Sequence, residues 1–200
     1  MSKLPPLTLD AQFTLVTESG AFELYGYVFD GSVSPTIALM KGESSSQVRP
    51  LVRVQSRCDT SEIFGSKFCD CDEQLKMAMQ RVQAENCGLI IHLDQEARGN
   101  GLRAKLRIYQ LMQTQGLTSG EACKALSYPI DARTYEQAAA ILYALGITRL
   151  RLLTNNPRKL EGLRSFGLDV EQENLRVAPN EHDRAYLLDK QRTHGHDLGL

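Results

Sequence analysis

Up to about residue 55 the chain alternates apolar and polar positions, with Gly, Ser, Pro and Asp between the alternating stretches. This pattern predicts strands over 12–17, 21–29, 36–40 and 51–55. Beyond residue 72 the period lengthens. Leu75, Met79 and Val82 recur at i, i+4 and i+7, which predicts a helix over 74–85. The apolar run Gly88-Leu-Ile-Ile-His-Leu93 reads as a buried strand.

Further helices are expected over 102–115, over 135–145 with Gly146 as the stop, and over 157–165 with Asn156 as N-cap and Pro157 in the first turn. A short strand over 150–153 precedes the last of these. Strands first, then helices alternating with strands, imply an α+β (mixed α/β) domain. The expectation is one domain over residues 1–180 and a polar tail over 181–200.

With 200 residues, 42% hydrophobic and 24% charged, the chain can bury a proper core without a metal to hold a minimal fold together. The net charge of −1 supplies no general attraction for nucleic acid, so any phosphorylated ligand has to be met by local cations. No apolar run approaches the roughly 18 residues a bilayer span requires. Met1 to Pro6 lacks the apolar stretch of a signal peptide. Five cysteines, three of them within fourteen residues, fit a metal in a reducing compartment better than disulfides, and the expected location is cytoplasmic. Cys87 and Cys123, at helix-edge positions, read as inert small hydrophobes rather than ligands.

The three clustered cysteines are Cys58, Cys69 and Cys71. In an extended segment Cys69 and Cys71 share a face, and Cys58 can close a triangle with them. Three thiolates are one short of a closed tetrahedral zinc site, whereas a catalytic zinc keeps its fourth position open. The spacing leaves three readings: a catalytic zinc, a structural zinc completed by His92 or a distant residue, and no metal.

Three other segments carry candidate chemistry. Asp94-Gln-Glu-Ala-Arg98-Gly-Asn-Gly-Leu102 links a strand to a helix, where glycines and a helix N-terminus suit an anion. Asp131 and Arg133 precede a helix, where Asp131 can serve merely as a cap. Thr154-Asn-Asn-Pro-Arg158-Lys159 follows a strand. Two cations at a helix start oppose its dipole, which suits either a ligand or a solvated surface.

In order and spacing, these segments resemble GTP cyclohydrolase II, the zinc enzyme that opens the guanine imidazole ring at the start of riboflavin synthesis. The resemblance covers roughly residues 50–170. It rests on Arg53-Val-Gln-Ser-Arg-Cys58, Cys69-Asp-Cys71 with Gln74-Leu75, Gln95-Glu-Ala-Arg98, Asp131-Ala-Arg133 and Leu152-Leu-Thr-Asn-Asn-Pro-Arg-Lys159. It implies Cys58, Cys69 and Cys71 as ligands of a zinc that activates water against purine C8, with formate and pyrophosphate released and a diaminopyrimidinone phosphoribosylamine left as product.

By motif position the resemblance gives Asp131 the role of general base and Arg133 that of nucleophile toward the α-phosphate. Guanidinium is essentially always protonated, so electrostatic stabilisation is retained as another role for Arg133. Tyr109 matches an active-site tyrosine. Arg53, Val54, Gln55, Ser56, Arg57, Gln74, Glu96, Ala97, Arg98, Ser119, Thr154 and Lys159 fall where the family contacts nucleotide and phosphates. The family further implies Mg²⁺ on the triphosphate and a homodimer.

The chain departs from the family pattern around these positions. His-Ser-Glu-Cys is here Gln55-Ser-Arg57-Cys58, Arg-Cys-Asp-Cys-Gly is Phe68-Cys-Asp-Cys-Asp72, and Arg-Gln-Glu-Gly-Arg is Asp94-Gln-Glu-Ala97-Arg98. Asp-Thr-Val-Glu-Ala-Asn is Thr118-Ser-Gly-Glu-Ala-Cys123, after a one-residue insertion beyond Tyr109. Altered polar contacts shift substrate choice while leaving reaction type intact. The expectation is therefore a divergent ring-opening hydrolase. The alternatives are a paralogue that stops at the formamidopyrimidine or takes another purine nucleotide, and a non-catalytic nucleotide-binding regulator.

Overall fold

The computed structural model describes residues 4–43 and 49–178, so the expected polar tail lies outside the described residues. The described chain runs β1 (Leu7–Thr17), β2 (Gly20–Phe29), β3 (Thr36–Lys41), β4 (Leu51–Ser56), α1 (Asp59–Glu62), α2 (Cys71–Glu85) and β5 (Gly88–Leu93). It continues through α3 (Leu102–Gln115), α4 (Ser119–Ala125), α5 (Glu136–Ala144), β6 (Arg149–Leu153), α6 (Pro157–Arg164) and β7 (Asp169–Glu173). This is an α+β fold, as the pattern predicted.

The chain forms two compact units. The first is built on residues up to Gln55 with Leu75–Leu93 and Tyr135–Leu175, and the second on Ser56–Gln74 and Asp94–Thr134.

The first unit carries a seven-stranded sheet in the order β1-β2-β3-β5-β4-β6-β7. β1, β2, β3 and β5 pair antiparallel, whereas β4, β6 and β7 pair parallel. Successive strand side chains point to opposite faces, and the core follows that alternation. Leu89, Ile91 and Leu93 of β5 pack with Ala138, Ile141 and Leu142 of α5, while Ile90 between them packs with Ala78 and Val82 of α2. Both faces of β5 are covered, which is why its sequence is a continuous apolar run. β4 behaves alike: Leu51 joins one cluster, Val52 and Val54 the other.

The expected caps of the last helix are present. The Asn156 side chain accepts a hydrogen bond from Arg158 N at 3.0 Å, with Pro157 in the first turn. Gly146 follows α5 with a left-handed φ of 71°.

The second unit has a smaller apolar cluster: Ala104 and Ile108 of α3 against Ala122 and Cys123 of α4. α4 starts on a capping box that the sequence reading passed over, in which Glu121 N donates to Thr118 Oγ1 and Thr118 N to Glu121 Oε2.

Candidate active site

The second unit brings the cysteines together, although not on a strand. Residues 67–70 form a turn, and Cys71 is the first residue of α2, three residues earlier than the pattern suggested. The extended geometry expected for Cys69 and Cys71 is therefore corrected. A helical start is favoured here because Asp72 and Glu73 place negative charge at the positive end of the helix dipole. Ser61 Oγ accepts from Asp72 N at 3.1 Å and so ties α1 to the start of α2. The ligand atoms of Cys58, Cys69 and Cys71 all lie within 4.8 Å of one another, with the sulfurs of Cys58 and Cys69 3.6 Å apart. Cys58 and Cys69 are buried. Three soft donors at this separation fit a divalent zinc.

Lys105 on α3, which the sequence reading missed, reaches this cluster. Its ammonium lies 2.9 Å from Cys58 Sγ and 2.9 Å from Glu96 Oε1. Burial disfavours the charged form, but hydrogen bonds and charge from Cys58 and Glu96 outweigh it and hold the Lys105 pKa above its ordinary value. The signal was present in the sequence. Lys105 shares a helical stripe with Ile108, Tyr109 and Met112, so it is a charge on an otherwise apolar face. The ammonium also sits 5.5 Å from the centroid of the Tyr109 ring, and that ring packs edge-on against Phe68 at 6.0 Å.

Glu96 opens a tight turn over Glu96–Gly99 in which Ala97 and Arg98 both have left-handed φ, 51° and 57°. Two consecutive non-glycine residues in that region store backbone strain. The turn is held from outside: Ala132 N donates to Arg98 O at 2.9 Å, and Arg98 donates to Ile130 O and Ser119 Oγ, both at 3.4 Å. A Cβ on Gly99 would meet the Ala132 carbonyl at 2.9 Å, so only glycine permits this approach. The turn thereby gathers three of the sequence motifs: Glu96 to Arg98, Ser119 at the head of α4, and the Asp131–Arg133 loop.

Asp131 is not the cap of α5, whose N-cap is Tyr135. It forms a two-pronged ion pair with Arg133, Oδ1 to Nε at 2.9 Å and Oδ2 to Nη2 at 2.6 Å, and also accepts from Arg133 N at 3.1 Å. Both side chains are largely buried. Burial pushes the Asp131 carboxyl up, but Arg133 and, more distantly, Arg98 bring it below the usual carboxylate value.

A cavity of about 320 Å³ opens beside this turn, lined by Arg57, Asp59, Asp94, Gln95, Glu96 and Gly99 among others. Arg57 pairs with Asp59 at 2.5 Å and with Asp94 at 3.1 Å. Two positions at which the sequence reading found departures, Arg57 and Asp94, thus pair with each other. Gln95 Nε2 donates to Thr134 O at 2.8 Å, while its Oε1 is buried with no hydrogen-bond partner among the described residues. The Gln74 side chain reaches back to Asp70.

The remaining predicted residues lie in the first unit, at the carboxyl ends of β4 and β6. Arg53 donates to Gln55 Oε1 at 3.0 and 2.8 Å and to Leu153 O at 2.9 Å. Lys159 is buried and donates to Val54 O at 2.5 Å; it is therefore not a solvated surface charge. Val54 itself is fully buried in the apolar core, which leaves its backbone as its polar part. Thr154 Oγ1 accepts from Asn156 N at 3.1 Å.

The family model described as GTP cyclohydrolase II matches residues 9–175. The chain belongs to the GTP cyclohydrolase II family. It is 42% identical over 195 residues to the riboflavin biosynthesis protein RibBA of Bacillus cytotoxicus and to that of Bacillus cereus, matches that cover 97% of the chain. The chain spans about half the length of these relatives, 49% of each. A solved structure titled RibBX, a two-domain 3,4-dihydroxy-2-butanone 4-phosphate synthase from A. baumannii, is similar over 76% of this chain and 35% of its own, with a TM-score of 0.44 and 21% identity. No helix among the described residues is long and apolar enough to cross a membrane.

Proposed function

We propose that the chain is a zinc-dependent GTP cyclohydrolase II that opens the guanine imidazole ring of GTP and releases formate and pyrophosphate. The observation that carries this reading is the three-sulfur cluster, with Cys58 and Cys69 buried and Cys71 half-buried, in the same unit as the buried Asp131–Arg133 pair, within a chain of this family. Cys58, Cys69 and Cys71 hold the zinc, which when bound supplies a Lewis acid that activates water at neutral pH.

The chain's own residues do the rest. Asp131, kept ionised by Arg133 and Arg98, fixes the plane of the Arg133 guanidinium. A carboxylate whose pKa is pushed down is a poor base toward guanidinium. Arg133 therefore acts on the phosphates through its charge and its fork of N–H donors rather than as a nucleophile. Tyr109, whose ring lies 5.5 Å from the Lys105 ammonium that touches Cys58, is assigned to the active site, where its hydroxyl would orient water. Gln95 Oε1 is an acceptor for a purine N–H.

Ser56, Arg57, Gln74, Glu96, Ala97, Arg98 and Ser119 of the second unit, and Arg53, Val54, Gln55, Thr154 and Lys159 of the first, are assigned to substrate binding. Mg²⁺ accompanies the triphosphate, since side chains alone leave much of its charge uncompensated. We assign residues 1–180 to one domain, a homodimeric assembly and a cytoplasmic location.

The presence of Arg57 and Asp94, both departures in the sequence reading, in the cavity lining favours a second reading, in which the reaction stops at the formamide or takes another purine nucleotide. Incubating zinc-loaded protein with GTP, GDP or GMP and Mg²⁺, while following formate, pyrophosphate and the ultraviolet spectrum, separates these. GTP is expected to yield formate and pyrophosphate together. Formamide without formate selects the second reading, and no ring opening with any purine nucleotide refutes both.

A further inference from the structure

Lys105 and Glu96 form a buried pair whose partners are all accounted for around one cysteine. Glu96 Oε1 accepts from the Lys105 ammonium at 2.9 Å and from Ala97 N at 2.8 Å. Glu96 Oε2 accepts from Asp59 N at 2.6 Å, the amide that directly follows Cys58. The same ammonium lies 2.9 Å from the Cys58 sulfur. Glu96 thus grips both the backbone beside Cys58 and the cation that touches its side chain. Lys105 and Glu96 are 6% and 4% exposed, so this arrangement is shielded from water and from salt.

We propose that Lys105, clamped by Glu96, is a positioning residue for the metal centre, fixing the Cys58 sulfur and drawing charge from it. This rests on the three-thiolate zinc reading above. Three thiolates on a divalent ion leave one net negative charge, and a cation donating to one sulfur offsets it. The sulfur then gives less electron density to the metal, which keeps the metal a stronger Lewis acid. Partners of this kind set ligand orientation and metal properties without touching the metal. Glu96 acts here through its buried carboxylate, a role beside the substrate binding assigned to it above.

The test reads the metal, not turnover. Apo-protein is titrated with Zn²⁺ against a chromophoric chelator, and with Co²⁺ while recording the sulfur-to-cobalt charge-transfer band. Lys105→Met keeps the side-chain volume and removes the donor. It is expected to weaken Zn²⁺ binding by roughly 10- to 100-fold and to move the charge-transfer band to longer wavelength, since an unbonded thiolate is easier to oxidise. The double variant Lys105→Met with Glu96→Gln leaves no unpaired buried charge and guards against simple misfolding. It too is expected to show the weakened affinity and the displaced band. Wild-type affinity and an unmoved band in the double variant would mean that Lys105 merely neutralises Glu96, which overturns the proposal. Wild-type protein that binds no Zn²⁺ refutes the metal reading as well, whereas wild-type binding with an unaffected Lys105→Met variant refutes this inference alone.

Discussion

Asp131 and Arg133 are two residues apart, and the loop between α4 and α5 turns them onto each other so that both donors of the guanidinium edge meet both carboxylate oxygens. Such a pair in a buried setting is expensive to break, because the survivor is left charged and unmatched. Asp131→Asn is therefore expected to lower stability at pH 7 by roughly 3 kcal/mol. The pH dependence follows from the depressed carboxyl. A group whose folded pKa lies below its unfolded value stabilises the fold above the unfolded value, 3.8 for this carboxyl, and loses that contribution as pH falls through the folded pKa. Urea unfolding of wild type and Asp131→Asn is thus expected to show a gap at pH 7 that narrows on acidification to pH 3. A gap of constant size would sink the ionic account.

At this same scale the sequence was uneven. Cysteine spacing located the three-sulfur cluster, because sulfur has few other reasons to gather within fourteen residues. Lys105 was passed over because a lysine on a helix is usually solvated. Only its place on the apolar stripe, with Ile108 and Tyr109, marks it as buried. The strain at Ala97 was not visible either, since alanine carries no sign of a left-handed backbone; only the three-dimensional closure of Arg98 onto Ala132 accounts for it.

Elements were legible where packing imposes a period. β5 was recognisable because both faces are covered, and α3 because one face is, and their ends match the pattern. β7 was not, because it lies at a sheet edge and Val170 is its one buried residue. α4 has seven residues, too few for a stripe to repeat, and its capping box was the available sign.

Gly162 in α6 illustrates a choice made by packing over propensity. Alanine is better than glycine inside a helix by about 1 kcal/mol. Here, however, a Cβ would stand 2.3 Å from Cδ2 of Tyr135, a largely buried ring that cannot simply swing away. Overpacking of this kind costs about 1–3 kcal/mol and reverses the sign. Gly162→Ala is expected to lower Tm by several degrees, about 2–4 °C for each kcal/mol in a chain of this size. A Tm equal to or above wild type in a calorimetric scan would show that Tyr135 yields instead.

The whole molecule divides its hydrophobic resources unequally. The first unit holds two buried clusters built on a seven-stranded sheet, and side chains such as Ile91, Leu142 and Leu152 are fully excluded from water. The second unit rests on a cluster whose buried members are Ala104, Ile108, Ala122 and Cys123, two of them alanines. Burial contributes about 25 cal/mol per Å² of apolar surface, so small side chains supply little against the entropy of ordering 60 residues. Length and composition alone suggested that no metal is needed to hold the fold, and the smaller apolar cluster of the second unit makes that unit the place to test it. A structural contribution from zinc belongs where the cysteines are, since binding to a site absent from the unfolded chain is folding free energy for the segments that form it. Removing zinc with a strong chelator is therefore expected to raise amide exchange selectively in the segment from Cys58 to Gln74 and in α3 and α4, while amides of β4, β5 and β6 keep their protection. Readdition of Zn²⁺ should restore the slow exchange. Uniform loss of protection across the sheet would place the metal's contribution on the entire fold, and unchanged exchange in α3 would mean that the small cluster and the Glu96 clamp hold the second unit without it.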